Sequence, residues 1–437
     1  MSPKDSNVGN VGGICTDYAL KKKETANPAL NLAKMRKTLE SKCPEVFVKS
    51  LTWSLFYMLF DYAVWGGATY LMYNFVNSPE YNSYSPLIRH SVTAIYWNIC
   101  GFMMWCIFVV GHDCGHGTFS KYHTLNEIVG LITHGSIMVP FHPWRLSHHR
   151  HHSYHNHADR DYSHPWYTPD KLHPDGGAEF ALARAMENYT WMRFLFPFIG
   201  WAIYLFGLPD GSHFIPIGFM GSENNRMWNE SIEMLGDYSE HKKCLLSTSV
   251  VFGYAYIMLE YIFHWDWNAF GYWYVAPALI YGWWLVTVTY LQHHDHSTLV
   301  FDDADWNFVY SAFETIDRKF GFGIDTLHHH ITDGHVVHHL FFKGIPHYNL
   351  PKATEVIYEY MADNKLGHLV KTDNTPDFAL RVHKYMVQFG FAANRFSPDN
   401  YTPEAVKERL QKDAKSRLNL VEEVAAKKAG SGSKKTK

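Results

Sequence analysis

The sequence predicts an all-α integral membrane protein with four transmembrane helices in two hairpins and a cytosolic helical cap. Three observations carry this. Apolar stretches of the roughly 20 residues needed to cross a bilayer fall in two close pairs, at residues 51–75 and 92–110 and at residues 245–263 and 269–291. Lys and Arg crowd ahead of the first stretch and are nearly absent from the two tips that join the members of each pair. Histidines recur at the i, i+3, i+4 spacing of one helix face, in segments that four crossings leave on the same side.

Composition narrows the class. A chain of 437 residues with net charge -3 has no excess of positive charge for a nucleic-acid partner. Aromatic residues make up 16% of it, with 15 Trp and 28 Tyr, which suits belts at two membrane–water interfaces. The outlier is 29 histidines against 6 cysteines. Cys15, Cys43, Cys100, Cys106, Cys114 and Cys244 form no C-x-x-C pair, so neither a disulfide framework nor a thiolate metal site is expected.

Taken in order, residues 1–45 read as a mobile polar arm with a short helix around 28–40, and nothing in the first fifty residues has the basic-then-apolar form of a secretory signal. The first two spans are joined by a loop at 77–90 holding Pro79 and Pro86, and are interrupted by Asp61 and Asn98. Residues 125–142, broken by Asn126, Glu127, His134 and Pro140, read as interfacial or re-entrant, as do residues 191–208, broken by Arg193 and Pro197. Only residues 264–268 separate the second pair of spans. Beyond Leu291 the chain is mixed and soluble, with a charged helical stretch at 403–428 and a disordered end at 430–437. Lys21, Lys22, Lys23, Lys34, Arg36, Lys37, Lys42 and Lys49 precede the first span, whereas the first tip has only Arg89 and the second has none. Both termini are therefore expected in the cytosol, and residues 111–244 and everything after 291 lie on that same side.

Four histidine clusters fall there. His112 and His116 are one turn apart at the end of the second span. His148, His151 and His152 repeat the one-face spacing, as do His335, His338 and His339. The run from Gln292 to His296 follows the fourth span. A lone histidine is ordinarily a hydrogen-bonded or exposed residue, and His90, His123, His213, His241, His264, His368 and His383 are read that way. The clusters differ: many charged imidazoles would repel one another, whereas neutral imidazole is a common transition-metal ligand. Eight or nine such nitrogens exceed what one tetrahedral zinc uses and suit two metal ions in the cap. Spacing alone does not choose iron over zinc.

These residues resemble the membrane-bound fatty acid desaturases, whose three histidine boxes match His112-Asp113-Cys114-Gly115-His116, His148-x-x-His151-His152 and His335-x-x-His338-His339. The likeness spans roughly residues 45–360. It includes Asp210-Gly211-Ser212-His213-Phe214, Thr315-Ile316-Asp317-Arg318 and Ile345-Pro346-His347-Tyr348, and it points to the methyl-end branch. It divides the chain into an N-terminal cytosolic arm (1–45), a membrane and catalytic domain (46–360) and a cytosolic C-terminal region with a basic tail (361–437).

The resemblance implies a centre of two non-haem iron ions. By position the metal ligands are His112, His116, His148, His151, His152, His335, His338 and His339, with His293 as a ninth and His296 as its alternative. Asp113 is expected to orient a ligand imidazole. The family uses dioxygen and two electrons to remove two hydrogens from an acyl chain, leaving a cis double bond. That suits the chemistry, because an unactivated methylene has no acidic proton for acid–base groups to take and needs a redox metal. The substrate is then a fatty acyl lipid, as phospholipid or acyl-CoA. Asp113 in the first box and Gly117 after its last His, Trp144-Arg145-Leu146-Ser147-His148 and His328-His329-His330 resemble omega-3 members, with delta-12 or a bifunctional delta-12/omega-3 enzyme as the alternative. The stretch His173-Pro174-Asp175-Gly176-Gly177 is interrupted relative to a haem-binding His-Pro-Gly-Gly, so electrons are expected from a separate donor, cytochrome b5 with its reductase. Lys434-Lys435-Thr436-Lys437 resembles a dilysine retrieval signal and places the protein in the endoplasmic reticulum membrane. An acyl hydroxylase or acetylenase shares the scaffold. A metal transporter would instead carry its ligands at mid-membrane on broken helices.

Overall fold

The computed structural model describes residues 27–157, 160–161, 163–164, 189–207, 213–214, 239–295, 298, 300–301 and 306–389. These residues are almost wholly helical; the β structure is one parallel two-residue pair, β1 (Asp317–Arg318) against β2 (Thr372–Asp373), and one isolated bridge.

Helix α1 (Leu32–Lys42) starts at Asn31, whose side chain accepts from the Lys34 N–H. The arm expected to be mobile is packed from Asn27 onward. Met35, Leu39 and Cys43 recur every fourth residue and are fully buried in a cluster with Val356, Ile357 and Met361 of a later helix. Residues 1–26 lie outside the described set.

Helix α2 (Leu51–Val76) is capped by Ser50, and α3 (Pro86–His116) by Ser85 with proline at its first position, which starts α3 four residues earlier than the end of the expected loop. The two run antiparallel, since Lys49 ahead of α2 donates to the Gly117 carbonyl just past α3 at 2.8 Å. Gly117 closes α3 at φ +71°, where glycine costs least. Helices α4 (His123–Ser136), α5 (Phe141–Tyr154) and α6 (Thr190–Phe206) follow. Then α7 (Ser239–Ile257) runs through a π turn at Met258–Ile262 to a tip where His264 and Trp265 take positive φ. The chain returns through Trp267–Phe270 and a second π turn, Gly271–Val275, into α8 (Ala276–His293).

Helix α8 crosses α3 where Gly101 leaves no room: a Cβ there would lie 2.6 Å from the Pro277 carbonyl. Helix α6 crosses α8 at Gly282. The core between them holds Trp105, Phe108, Trp201, Tyr281 and Leu285. Beyond the α3 and α8 ends, α9 (His335–Phe341) and α10 (Leu350–Asp363) build a second core, and α11 (Phe378–Phe389) packs back on α6 and α8.

Three helices among the described residues are long and apolar enough to cross a membrane: Pro86–His116, Glu240–Ile262 and Trp267–His293. Helix α2 has the length, at 26 residues, but Asp61, Ser54, Asn74 and four tyrosines dilute its hydropathy. The helix at Thr190–Phe206 is shorter. The charged stretch at 403–428 and the dilysine end lie outside the described residues.

Candidate metal centre

Helical geometry does most of the assembly. His112 and His116 share one face of the last α3 turns, and their Nε2 atoms lie 3.2 Å apart. On α5, His148 and His152 bring their Nε2 atoms to 3.0 Å. His338 on α9 meets His152 at 3.1 Å between Nε2 atoms. His112, His116, His148, His152 and His338 thus form one group whose ligand atoms all lie within 4.8 Å of one another.

His151, His293 and His339 form a second group by the same measure. His293 is the last residue of α8 and His335 the first of α9; their Nε2 atoms are 3.0 Å apart, and His335 meets His339 at 3.1 Å. The groups adjoin, with the His152 and His339 rings 4.3 Å apart. All nine sequence-predicted histidines therefore meet at one place. His296, the alternative to His293, lies outside the described residues.

The donor set fits metal ions. Burial, reinforced by neighbouring imidazoles, holds His148, His152, His335, His338 and His339 well below the usual histidine range and takes His151 down to about 3. These rings are neutral at neutral pH, with lone pairs to offer. With metal–nitrogen bonds of about 2.1 Å, two ligands at a right angle sit about 3.0 Å apart, the spacing these Nε2 atoms already have.

Three of the rings are also held from behind. His151 Nδ1 lies 2.9 Å from Asp161 Oδ1, His335 Nδ1 lies 3.2 Å from the Ile331 carbonyl, and His112 Nδ1 lies 3.4 Å from Asp113 Oδ1. Each contact takes the Nδ1 proton and leaves Nε2 free. Trp144 stacks on His148 and Phe342 on His152, both at 4.6 Å between ring centres. His149 is outside both groups; its Nε2 donates to the Gly115 carbonyl at 2.9 Å.

The histidines read as ordinary do not join these groups. His123 is exposed beside Glu127, His213 packs on Tyr204, and His383 bonds Trp283 and the Phe194 carbonyl. Sequence reasoning missed Asp161 and His164, which pack behind His151 and His293 from an irregular turn with no periodic signal. The five described cysteines are all free.

Comparison with known proteins adds the family. Its profile, fatty acid desaturase, matches residues 91–371. A delta-12 fatty acid desaturase of Caenorhabditis elegans is 35% identical over 338 residues, 74% of this chain and 78% of the relative. An omega-3 fatty acid desaturase of the same organism is 35% identical over 374 residues, 83% of this chain and 82% of the relative. A chloroplastic omega-3 fatty acid desaturase of Glycine max is 34% identical over 340 residues, 76% of this chain and 65% of the relative. With the three boxes gathered into one buried cluster and the match running through most of its length, the chain belongs to the fatty acid desaturase family.

Proposed function

We propose that the protein is an omega-3 desaturase of unsaturated 18- or 20-carbon acyl chains, working at a centre of two iron ions. One observation carries the reading: nine imidazoles meet at the ends of two long apolar helices, in adjoining groups of five and three with His335 beside His293 and His339. Five residues, His112, His116, His148, His152 and His338, would hold one ion; His151, His293, His335 and His339 would hold the other. Iron bound there supplies the coupling of dioxygen reduction to hydrogen removal from an unactivated methylene. The chain's own part is to fix the rings through Asp161, Asp113 and the Ile331 carbonyl, and to cover His148 and His152 with the Trp144 and Phe342 rings.

Helix α2 is taken as the fourth span. At ~1.5 Å per residue its 26 residues extend about 39 Å, more than the ~30 Å hydrocarbon layer. It turns Trp53, Phe56, Leu59, Tyr70 and Leu71 outward, as a lipid-facing helix would. With the basic residues ahead of it in the cytosol, the histidine cluster and α9 to α11 form a cytosolic cap. An omega-3 fatty acid desaturase of the endoplasmic reticulum among the relatives favours that compartment, which in turn favours cytochrome b5 as electron donor.

Asp113 in the first box and Gly117 just after it favour omega-3 chemistry; the delta-12 relative, as similar as the omega-3 one, supports delta-12 activity as the second reading. Expression in yeast with fed 18- and 20-carbon precursors, reading double-bond position by mass spectrometry, decides between them. New bonds at the omega-3 position are expected. A new bond only at the delta-12 position of oleate overturns the omega-3 assignment, and about two irons per purified chain is expected where stoichiometric zinc would reject the di-iron reading.

A further inference from the structure

Four buried side chains that the cluster does not use as ligands form one continuous row. Asp113 Oδ2 accepts from both the backbone N–H of His347, at 3.2 Å, and its ring Nδ1, at 2.9 Å. His347 Nε2 lies 3.0 Å from His329 Nδ1, and His329 Nε2 lies 2.9 Å from Asp61 Oδ2. Asp61 belongs to α2, and its position is 268 residues from His329 in the chain. The other carboxylate oxygen of Asp113 faces the box residue His112. None of the four is more than 4% exposed.

A carboxylate inside a membrane helix is costly and is kept for a partner. Here the partner is named, and the proton order follows from hydrogen-bond capacity. With Asp113 accepting, His347 carries its proton on Nδ1 and accepts at Nε2. His329 must then donate from Nδ1, and the one remaining proton lies between His329 Nε2 and Asp61. Tyr57 packs on both imidazoles, at 5.0 Å from His329 and 4.8 Å from His347, and holds their planes. Every ring is therefore locked in orientation and tautomer by the next.

We propose that Asp61, His329 and His347 are positioning residues, a buried hydrogen-bonded row through which α2 fixes Asp113 and, through it, the ligand ring of His112. The inference rests on the metal-centre reading above and goes beyond the box histidines. A competing use of the same residues is a third metal site, since Asp61, Cys106 and His329 have ligand atoms within 4.8 Å of one another. The row is favoured because these groups are already paired: Cys106 Sγ donates to the Leu327 carbonyl at 3.2 Å, and His329 Nε2 is engaged by Asp61.

The test uses the full-length protein purified from yeast membranes, with metal content, chelator competition and the Mössbauer spectrum as readouts. In Asp61→Leu, one of the two iron components should change its spectrum, and iron affinity should fall about tenfold or more, the usual cost of losing a partner behind a ligand. Asp61→Asn should restore both, because its amide N–H can donate to His329 Nε2 and preserve the order of the row. If Asp61→Leu fails to accumulate, His329→Phe keeps the ring volume against Tyr57, removes both nitrogens and should give the same loss. Wild-type spectrum and affinity in these variants overturn the proposal. So does an Asp61→Asn variant as defective as Asp61→Leu, or a third metal in the wild type that Cys106→Ala removes. A wild type without iron rejects the di-iron reading itself and is seen before any variant is made.

Discussion

Asp161 grips His151 from behind: its Oδ1 lies 2.9 Å from His151 Nδ1, while its Oδ2 accepts the Asn156 backbone N–H at 3.1 Å. Burial pushes its carboxyl up to about 6, against the pull of His164 and the backbone donors. One side chain thus ties the end of α5 to the turn after it and fixes which nitrogen of His151 faces the second histidine group. Asp161→Ala is expected to lower metal affinity about 10- to 100-fold, read by chelator competition on the purified protein. Unchanged affinity would count against the role.

The box histidines themselves give the sharpest contrast. His151→Ala and His338→Ala, one from each group, should abolish new double bonds in fed yeast while the protein remains in the membrane fraction. His123→Ala, at an exposed side chain on α4, should leave product yield unchanged and shift stability by no more than about 0.5 kcal/mol. Product from either box variant would remove that histidine from the ligand set.

Asp317 sits on β1 yet serves α9. Gly334, at the helix start, has no side chain to cap it, and Asp317 Oδ1 accepts the Val336 N–H at 2.8 Å while Tyr358 donates to its other oxygen. Asp317→Ala leaves a buried N–H and a buried hydroxyl unpaired, at about 1–3 kcal/mol for each. A lowered midpoint of thermal unfolding in detergent is the expected result, with metal loss following because α9 carries three of the box residues. A midpoint equal to wild type would show the cap to be dispensable.

Gly101 is where α3 and α8 touch. A methyl group there meets the Pro277 carbonyl and the Ile280 side chain, so Gly101→Ala must push the two helices apart. Overpacking of this kind costs about 1–3 kcal/mol, and the separation would move His112 and His116 relative to His293. Lower thermal stability together with weaker metal retention is the expected pair of results; an Ala variant as stable as wild type would mean the crossing has slack.

Much of this was readable in the chain because it is periodic. The i, i+4 pair in α3 and the i, i+3, i+4 triplets in α5 and α9 state their own geometry, and apolar length locates α3, α7 and α8. Helix α1 was harder: its apolar face is three residues wide in a lysine-rich segment, and only its partner, α10, shows why Met35 and Leu39 are there. Asp161, His347 and His329 act from turns and loop ends whose spatial neighbours lie 10, 234 and 268 residues away, and no local pattern encodes such distances. Arg318 is similar. Its resemblance was visible, but its work, donating to the Leu291 carbonyl at the end of α8 while pairing Asp373 and Asp295, needed the fold.

Helices α3 and α8 both finish at the cluster, at His116 and His293. Aligned peptide dipoles leave about half a unit of negative charge at such an end, worth about 0.3–1 kcal/mol to a nearby cation and up to ~2 kcal/mol in a partly buried setting. Two long helices therefore bring their negative poles to one spot, a backbone contribution that favours cations beside nine rings with no carboxylate among them.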